Sequence, residues 1–109
     1  MHELSITQSV VDAVQERLPD TRIAGVCLEI GKLSGIVADS VRFCFELVAA
    51  GTALEGARLD IDEPGGRARC ADCDTEFDVD DLILLCPCGS ANVAVLAGQQ
   101  LRIRSVEVV

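Results

Sequence analysis

Four cysteines fall between positions 70 and 88, as Cys70-Ala-Asp-Cys73 and Cys86-Pro-Cys88, and they restrict the possible folds more than any other part of the chain. Two short-spaced thiol pairs flank the insert Asp74 to Leu85. Such pairs converge on one point after a single chain reversal. A tetrahedral Zn²⁺ asks for that arrangement, four sulfur donors about 2.3 Å from the metal. The spacing predicts a structural zinc knuckle with Cys70, Cys73, Cys86 and Cys88 as ligands. Only Pro87 separates the second pair, a tight bite that narrows the choice of rotamers. A redox dithiol or a disulfide staple competes for the same thiols. Four thiolates leave a zinc site negative, and Arg67 and Arg69 stand where they could offset that charge.

The rest of the chain must supply the core. It has 109 residues, half of them hydrophobic, which suits one domain or one domain with a small appendage. No apolar run approaches the roughly 20 residues of a membrane span. The N-terminus lacks the basic and apolar regions of a signal peptide, so the expected compartment is the cytoplasm, where thiols stay reduced and tend to bind metal. Nine basic residues face eighteen acidic ones, a net charge of −9. That balance argues against nucleic acid, whose phosphates demand cations. With no Trp or Tyr and three Phe, a base-stacking platform is excluded as well. An acidic surface fits a protein that meets other proteins or cations.

Periodicity predicts the elements. Leu4, Ile6, Val10, Val11, Ala13, Val14 and Leu18 line one side of a helix over residues 3–18, ended by Pro19-Asp20. Ala24, Val26, Leu28 and Ile30 alternate along a strand over 21–33. A second helix over 38–50 carries Val41, Cys44, Phe45, Leu47 and Val48, with Gly51 placed as its left-handed cap. Cys27 and Cys44 lie in these apolar segments and read first as small hydrophobes. Ala57, Leu59 and Ile61 turn inward from a short strand over 57–63. Pro64-Gly65-Gly66 then breaks the pattern. Within the zinc insert, Phe77, Val79, Leu82, Ile83, Leu84 and Leu85 are enough for a satellite core, and Asp78, Asp80 and Asp81 read as solvated. Val93 and Val95, then Leu101 and Ile103, then Val106 and Val108 return to strand, with a change of parity at Ser105 that predicts a bulge.

The expected fold class is α+β: a small mixed three-stranded sheet packed by two helices, with an inserted four-cysteine zinc module. Residues 1–63 and 93–109 form the first unit and 64–92 the zinc unit. The hinge at Pro64-Gly65-Gly66 also allows a homodimer by domain swapping.

The chain has one histidine, His2. A terminal histidine is usually just solvated. Here, however, the α-amine of Met1, the backbone amide of His2 and its imidazole are consecutive, and nitrogen donors in such an array suit Ni(II) or Cu(II). Glu3 is adjacent. Such ligands release protons on binding, so metal affinity should fall on acidification.

Met1-His2-Glu3-Leu4-Ser5, Gly31-Lys-Leu-Ser-Gly35, Gly56-Ala-Arg-Leu59, the paired cysteines, and Leu96-Ala-Gly98 with the tail Ser105-Val-Glu-Val108 resemble, in order, the HypA/HybF family of hydrogenase nickel-incorporation proteins. The resemblance implies a nickel domain and a zinc domain. It implies nickel at His2 and the Met1 amine with Glu3 adjacent, and zinc at Cys70, Cys73, Cys86 and Cys88. It also implies a GTPase partner, HypB, and delivery to the large subunit of [NiFe]-hydrogenase, with urease a further recipient in some members. The expected function is that of a metallochaperone and not an enzyme. One residue is missing from the family's Cys-Pro-x-Cys pair. The competing reading is a zinc-ribbon interaction module without a nickel role.

Overall fold

The computed structural model describes residues 2–109 and contains two three-stranded sheets joined end to end, in a shape 53 × 20 × 18 Å along its principal axes. Helix α1 (Glu3–Arg17) is followed by β1 (Ile23–Ile30), α2 (Ala38–Ala49) and β2 (Arg58–Asp62). Strands β3 (Gly66–Cys70), β4 (Glu76–Val79) and β5 (Val93–Ala97) come next, and β6 (Leu101–Val108) closes the chain. The first sheet has the order β2-β1-β6, with β1 and β2 parallel and β1 and β6 antiparallel. Helix α2 is the crossover that a parallel pair requires.

The apolar stripes meet over one face of this sheet. Val10, Val11 and Val14 of α1 and Val41, Phe45 and Ala49 of α2 bury against Val26, Leu28 and Ile30. Leu59, Ile61, Ile103 and Val106 pack at the margins of the same core. Gly51 adopts φ +78°, the left-handed position that ends α2.

The opposite face is charged. Glu29, in the middle of it, is buried, with Arg102 Nε 2.8 Å and Arg104 Nη1 3.6 Å from its carboxylate. The Arg102 Nε contact to Oε2 attracts by charge but is not aligned as a hydrogen bond. Burial alone would raise the Glu29 pKa, but hydrogen bonds from Arg102 and Gln100 and the two positive charges outweigh it and hold it below the usual range. Arg58 bridges Asp60 and Glu107 across the strands and lies over Gly25, where any side chain would strike its guanidinium.

The second sheet has the order β4-β3-β5. The sequence reading begins the return to the first sheet at residue 93. Instead, Val93–Ala97 pairs with β3, and only β6, from Leu101, rejoins β1. Two junctions therefore link the units. There Gly31, Gly66 and Gly98 come so close that a Cβ on Gly31 would lie 2.0 Å from the Gly98 carbonyl oxygen. Leu33 crosses this junction and buries against Ala68 and Val79, seeding the core of the second unit from a loop of the first.

Candidate metal centres

In the second unit, β3 delivers Cys70 to the interior, and the turn after it presents Cys73. Strand β3 alternates buried Gly66, Ala68 and Cys70 with exposed Arg67 and Arg69. The two arginines therefore point away from the thiols. Arg67 pairs with Asp78 at 2.7 Å, and the Arg69 Nε–H donates to Asp74 at 3.0 Å. This corrects the expected role of the arginines: strand alternation turns them outward to pair with aspartates, Asp78 across the strand and Asp74 in the following turn, instead of serving as counter-charges to the cluster. Asp78, expected to be solvated, is exposed and is also one of those partners.

The Cys86–Ser90 turn brings in the second pair: the Cys86 N–H donates to the Ser90 carbonyl and the Gly89 N–H to the Cys86 carbonyl, each at 2.8 Å, and the Ser90 hydroxyl donates to Asp72. Gly89, at φ +95°, makes the turn after Cys88. All four Sγ atoms lie within 4.8 Å of one another. Cys70 to Cys88 is 3.8 Å and Cys73 to Cys86 is 3.5 Å. The edge of a tetrahedron with sulfurs about 2.3 Å from its centre is roughly 3.8 Å, so the four thiols stand close enough to hold one zinc ion with small adjustments. All four thiols are free, which does not favour the disulfide staple. The short Cys86-Pro87-Cys88 bite still lets both sulfurs face the centre, and the Cys88 N–H lies 3.4 Å from Cys86 Sγ.

Electrostatics within the cluster favour a divalent ion. Hydrogen bonds from Thr75, followed by one from Cys86, lower the Cys73 pKa to about 6. At Cys86 the Cys88 N–H favours the thiolate, but burial and the neighbouring thiols prevail and push it up to about 12. Without metal, the Cys73 thiolate is easy to form and that of Cys86 is costly. A zinc ion removes that penalty by neutralising the set.

The insert does not close over a full satellite core as the sequence suggests. Val79 is buried, and Phe77 and Leu84 pack near it. Leu82, Ile83 and Leu85 are exposed, because a segment this short has no second layer to bury them.

The other centre lies where α1 starts. His2 is exposed at the N-cap position, and its carbonyl accepts the Ile6 N–H at 3.1 Å. Glu3 Oε2 accepts the Val37 N–H at 3.3 Å, tying the start of α1 to the start of α2. Thr7 is fully buried and its hydroxyl donates to the Glu3 carbonyl at 2.7 Å, which fixes the first turn. His2, Glu3, Asp39 and Cys44 are among the residues lining an open groove of about 600 Å³. Met1, with its α-amine, lies outside the described residues. Sequence reasoning missed Asp39, which stands far along the chain and only tertiary packing brings near His2. Leu47, expected in the core, is exposed beside Phe43 on this side of α2. Cys27 lies apart on the charged sheet face. Its thiol is 3.7 Å from Asp62 Oδ2, and burial, then Asp62, raises its pKa.

A two-helix α+β unit carrying a four-thiol module defines a small metal-binding protein. The family described as "Hydrogenase/urease nickel incorporation, metallochaperone, hypA" matches residues 1–108. Among curated relatives, the hydrogenase maturation factor HypA of Geobacter sulfurreducens is 50% identical over 109 residues, 99% of each chain. That of Nostoc sp. is 44% identical over 108 residues, 99% of this chain and 96% of the relative. The solution structure of the Ni metallochaperone HypA from Helicobacter pylori is similar, with a TM-score of 0.65 at 25% identity, covering 99% of this chain and 97% of that one. The chain belongs to the HypA family of hydrogenase and urease nickel-incorporation metallochaperones.

Proposed function

We propose that this chain binds Ni(II) at its N-terminus and hands it on during maturation of [NiFe]-hydrogenase, with zinc held structurally by Cys70, Cys73, Cys86 and Cys88. The observation that carries this reading is the open groove in which His2 and Glu3 stand beside Asp39. His2 supplies imidazole and backbone nitrogen, the Met1 amine completes the nitrogen set, and Glu3 and Asp39 add negative charge nearby. The groove opens to solvent, as a site that must release its metal requires. A closed cage would hold the ion too long.

The division of labour follows the two sheets. Residues 1–63 with the returning β6 form the nickel unit, and the segment between them forms the zinc unit. The partners are a HypB-like GTPase and the hydrogenase large subunit, in the cytoplasm. The role is one of binding and not of catalysis, a reading supported by the family's description as a metallochaperone. No described helix is long and apolar enough to cross a membrane.

His2→Ala should abolish stoichiometric nickel binding, measured by calorimetry on untagged protein, and leave zinc content and the circular dichroism spectrum unchanged. An N-terminal extension, which consumes the α-amine, should be nearly as damaging. Nickel affinity that survives His2→Ala refutes the assignment. The exposed Leu82, Ile83 and Leu85 favour a second reading, in which the zinc unit docks a partner and nickel plays no part. The same titration separates the two readings, because the second one predicts no nickel binding by the parent chain.

A further inference from the structure

Strand β6 is an edge of the first sheet, and among the described residues its outer side carries no neighbouring strand. Its backbone directions can be read from its two ends. The Gln100 carbonyl accepts the Gly31 N–H at 2.8 Å, and the Val109 N–H donates to the Arg22 carbonyl at 3.0 Å. An even-numbered and an odd-numbered residue thus both face β1. The register shift opposite Cys27 and Leu28, where Arg104 is the additional residue, accounts for the change of parity. Arg102, Ser105 and Glu107 turn their backbone groups towards β1. Leu101, Ile103, Val106 and Val108 turn theirs to the open edge.

This arrangement is self-complementary. Two identical antiparallel strands related by a two-fold axis must pair residues whose backbone groups both face the seam. In a regular strand such residues are separated by an even number of positions. The bulge makes Ile103 and Val106 equivalent in direction, and likewise Leu101 and Val108. Placing the axis between Arg104 and Ser105 sets Ile103 opposite Val106 of the second copy and Leu101 opposite its Val108. The same register sets Arg102 opposite Glu107 of the second copy, so apolar residues meet apolar ones and unlike charges meet. Each chain already anchors these charges, Arg102 on Glu29 and Glu107 on Arg58. The seam would join them into one alternating row.

The surroundings suit the same occupant. Two adjoining grooves of about 390 and 420 Å³ run between α1 and β6. Ser9 and Ala13 keep the helix side of them shallow, while Ile103 and Val106 form their floor. Leu101 and Val108 are exposed in the single chain, 37% and 53%, and both would be covered. A long apolar edge of this kind is otherwise a liability in a folded protein.

We infer that β6 pairs with β6 of a second copy of this chain, about the axis between Arg104 and Ser105, to give a continuous six-stranded sheet. Four narrow pairs exchanging two bonds each add about eight backbone hydrogen bonds across the seam. The inference does not depend on the nickel reading.

Amide hydrogen exchange of the zinc-loaded, untagged chain at low and high concentration tests it, alongside sedimentation velocity. Raising the concentration should produce a dimer and slow exchange at Leu101, Ile103, Val106 and Val108 together, with Arg102, Ser105 and Glu107 unchanged. Val108→Pro removes an open-edge N–H that β1 does not use, and should weaken the dimer by about tenfold or more. A chain that is monomeric at every concentration overturns the inference. So does a dimer in which those four amides exchange as in the monomer, or one that Val108→Pro leaves as tight as the parent.

Discussion

Removing zinc should unfold one half of this molecule and leave the other standing. The second unit has a thin core: Leu33, Ala68 and Val79 are buried, and Phe77, Leu84 and Val95 are partly so. Burying a Leu or Val fully stabilises by about 1.5–3 kcal/mol, so Leu33 and Val79 together supply a few kcal/mol. Ordering each residue of the unit costs about 1–2 kcal/mol in backbone entropy alone. Zinc bound by four thiolates contributes on the order of 10–16 kcal/mol at neutral pH, several times what the two large side chains provide. The first unit needs no such help, because its core gathers buried side chains from α1, α2 and β1. A strong chelator under reducing conditions should therefore abolish amide protection in β3, β4 and β5, while the core amides of α1, α2 and β1 stay protected. Metal analysis should show about one zinc per chain lost. Cys86→Ser, which removes a buried ligand, should reproduce the chelated state without chelator. If metal-free protein retained protection across β3–β5, the cluster would not be what holds that unit together, and the reasoning would fail.

Two further perturbations test the junction and the charged face. Gly31→Ala would put a methyl group 2.0 Å from the Gly98 carbonyl oxygen, so backbone atoms would have to part by more than an ångström. It should cost about 1–3 kcal/mol, read as a lowered urea midpoint, and an unchanged midpoint would argue against the close approach of the two units. Glu29 has its pKa held down in the folded state, so its contribution is present above the unfolded carboxylate value, about 4.3, and is lost as pH falls through the lower folded value. Between those two values the stability of the parent should fall more steeply with acidification than that of Glu29→Gln, measured by thermal unfolding against pH. Parallel curves would mean that Glu29 titrates as an ordinary surface carboxylate.

Much of the fold is legible along the chain because its determinants are local. The helical stripe through Val10, Val11 and Val14 and the alternation of Leu59 and Ile61 each depend on neighbours within a turn or a strand. The parity change at Ser105 is a local count too, and the bulge stands there. The thiol spacing sufficed to gather Cys70, Cys73, Cys86 and Cys88, since two short pairs need only one reversal to meet.

What stayed hidden depends on contacts between distant segments. The alternation of Val93 and Val95 signals a strand but does not say which sheet it joins. Pairing with β3 was decided by the second unit's need for a third strand. The partner of Arg67 depends on the register between β3 and β4. Leu33 reads as a loop residue until the glycine junction carries it into the other core. The sequence by itself determined the elements, the four thiols and the nitrogen-rich start at Met1-His2. Tertiary structure alone decided that Glu3 is tied to Val37 and that Asp39 stands in the same groove as His2. The physical reason is range: periodicity and ligand spacing act over a few residues, whereas the groove exists only once α1 and α2 have packed on the same sheet.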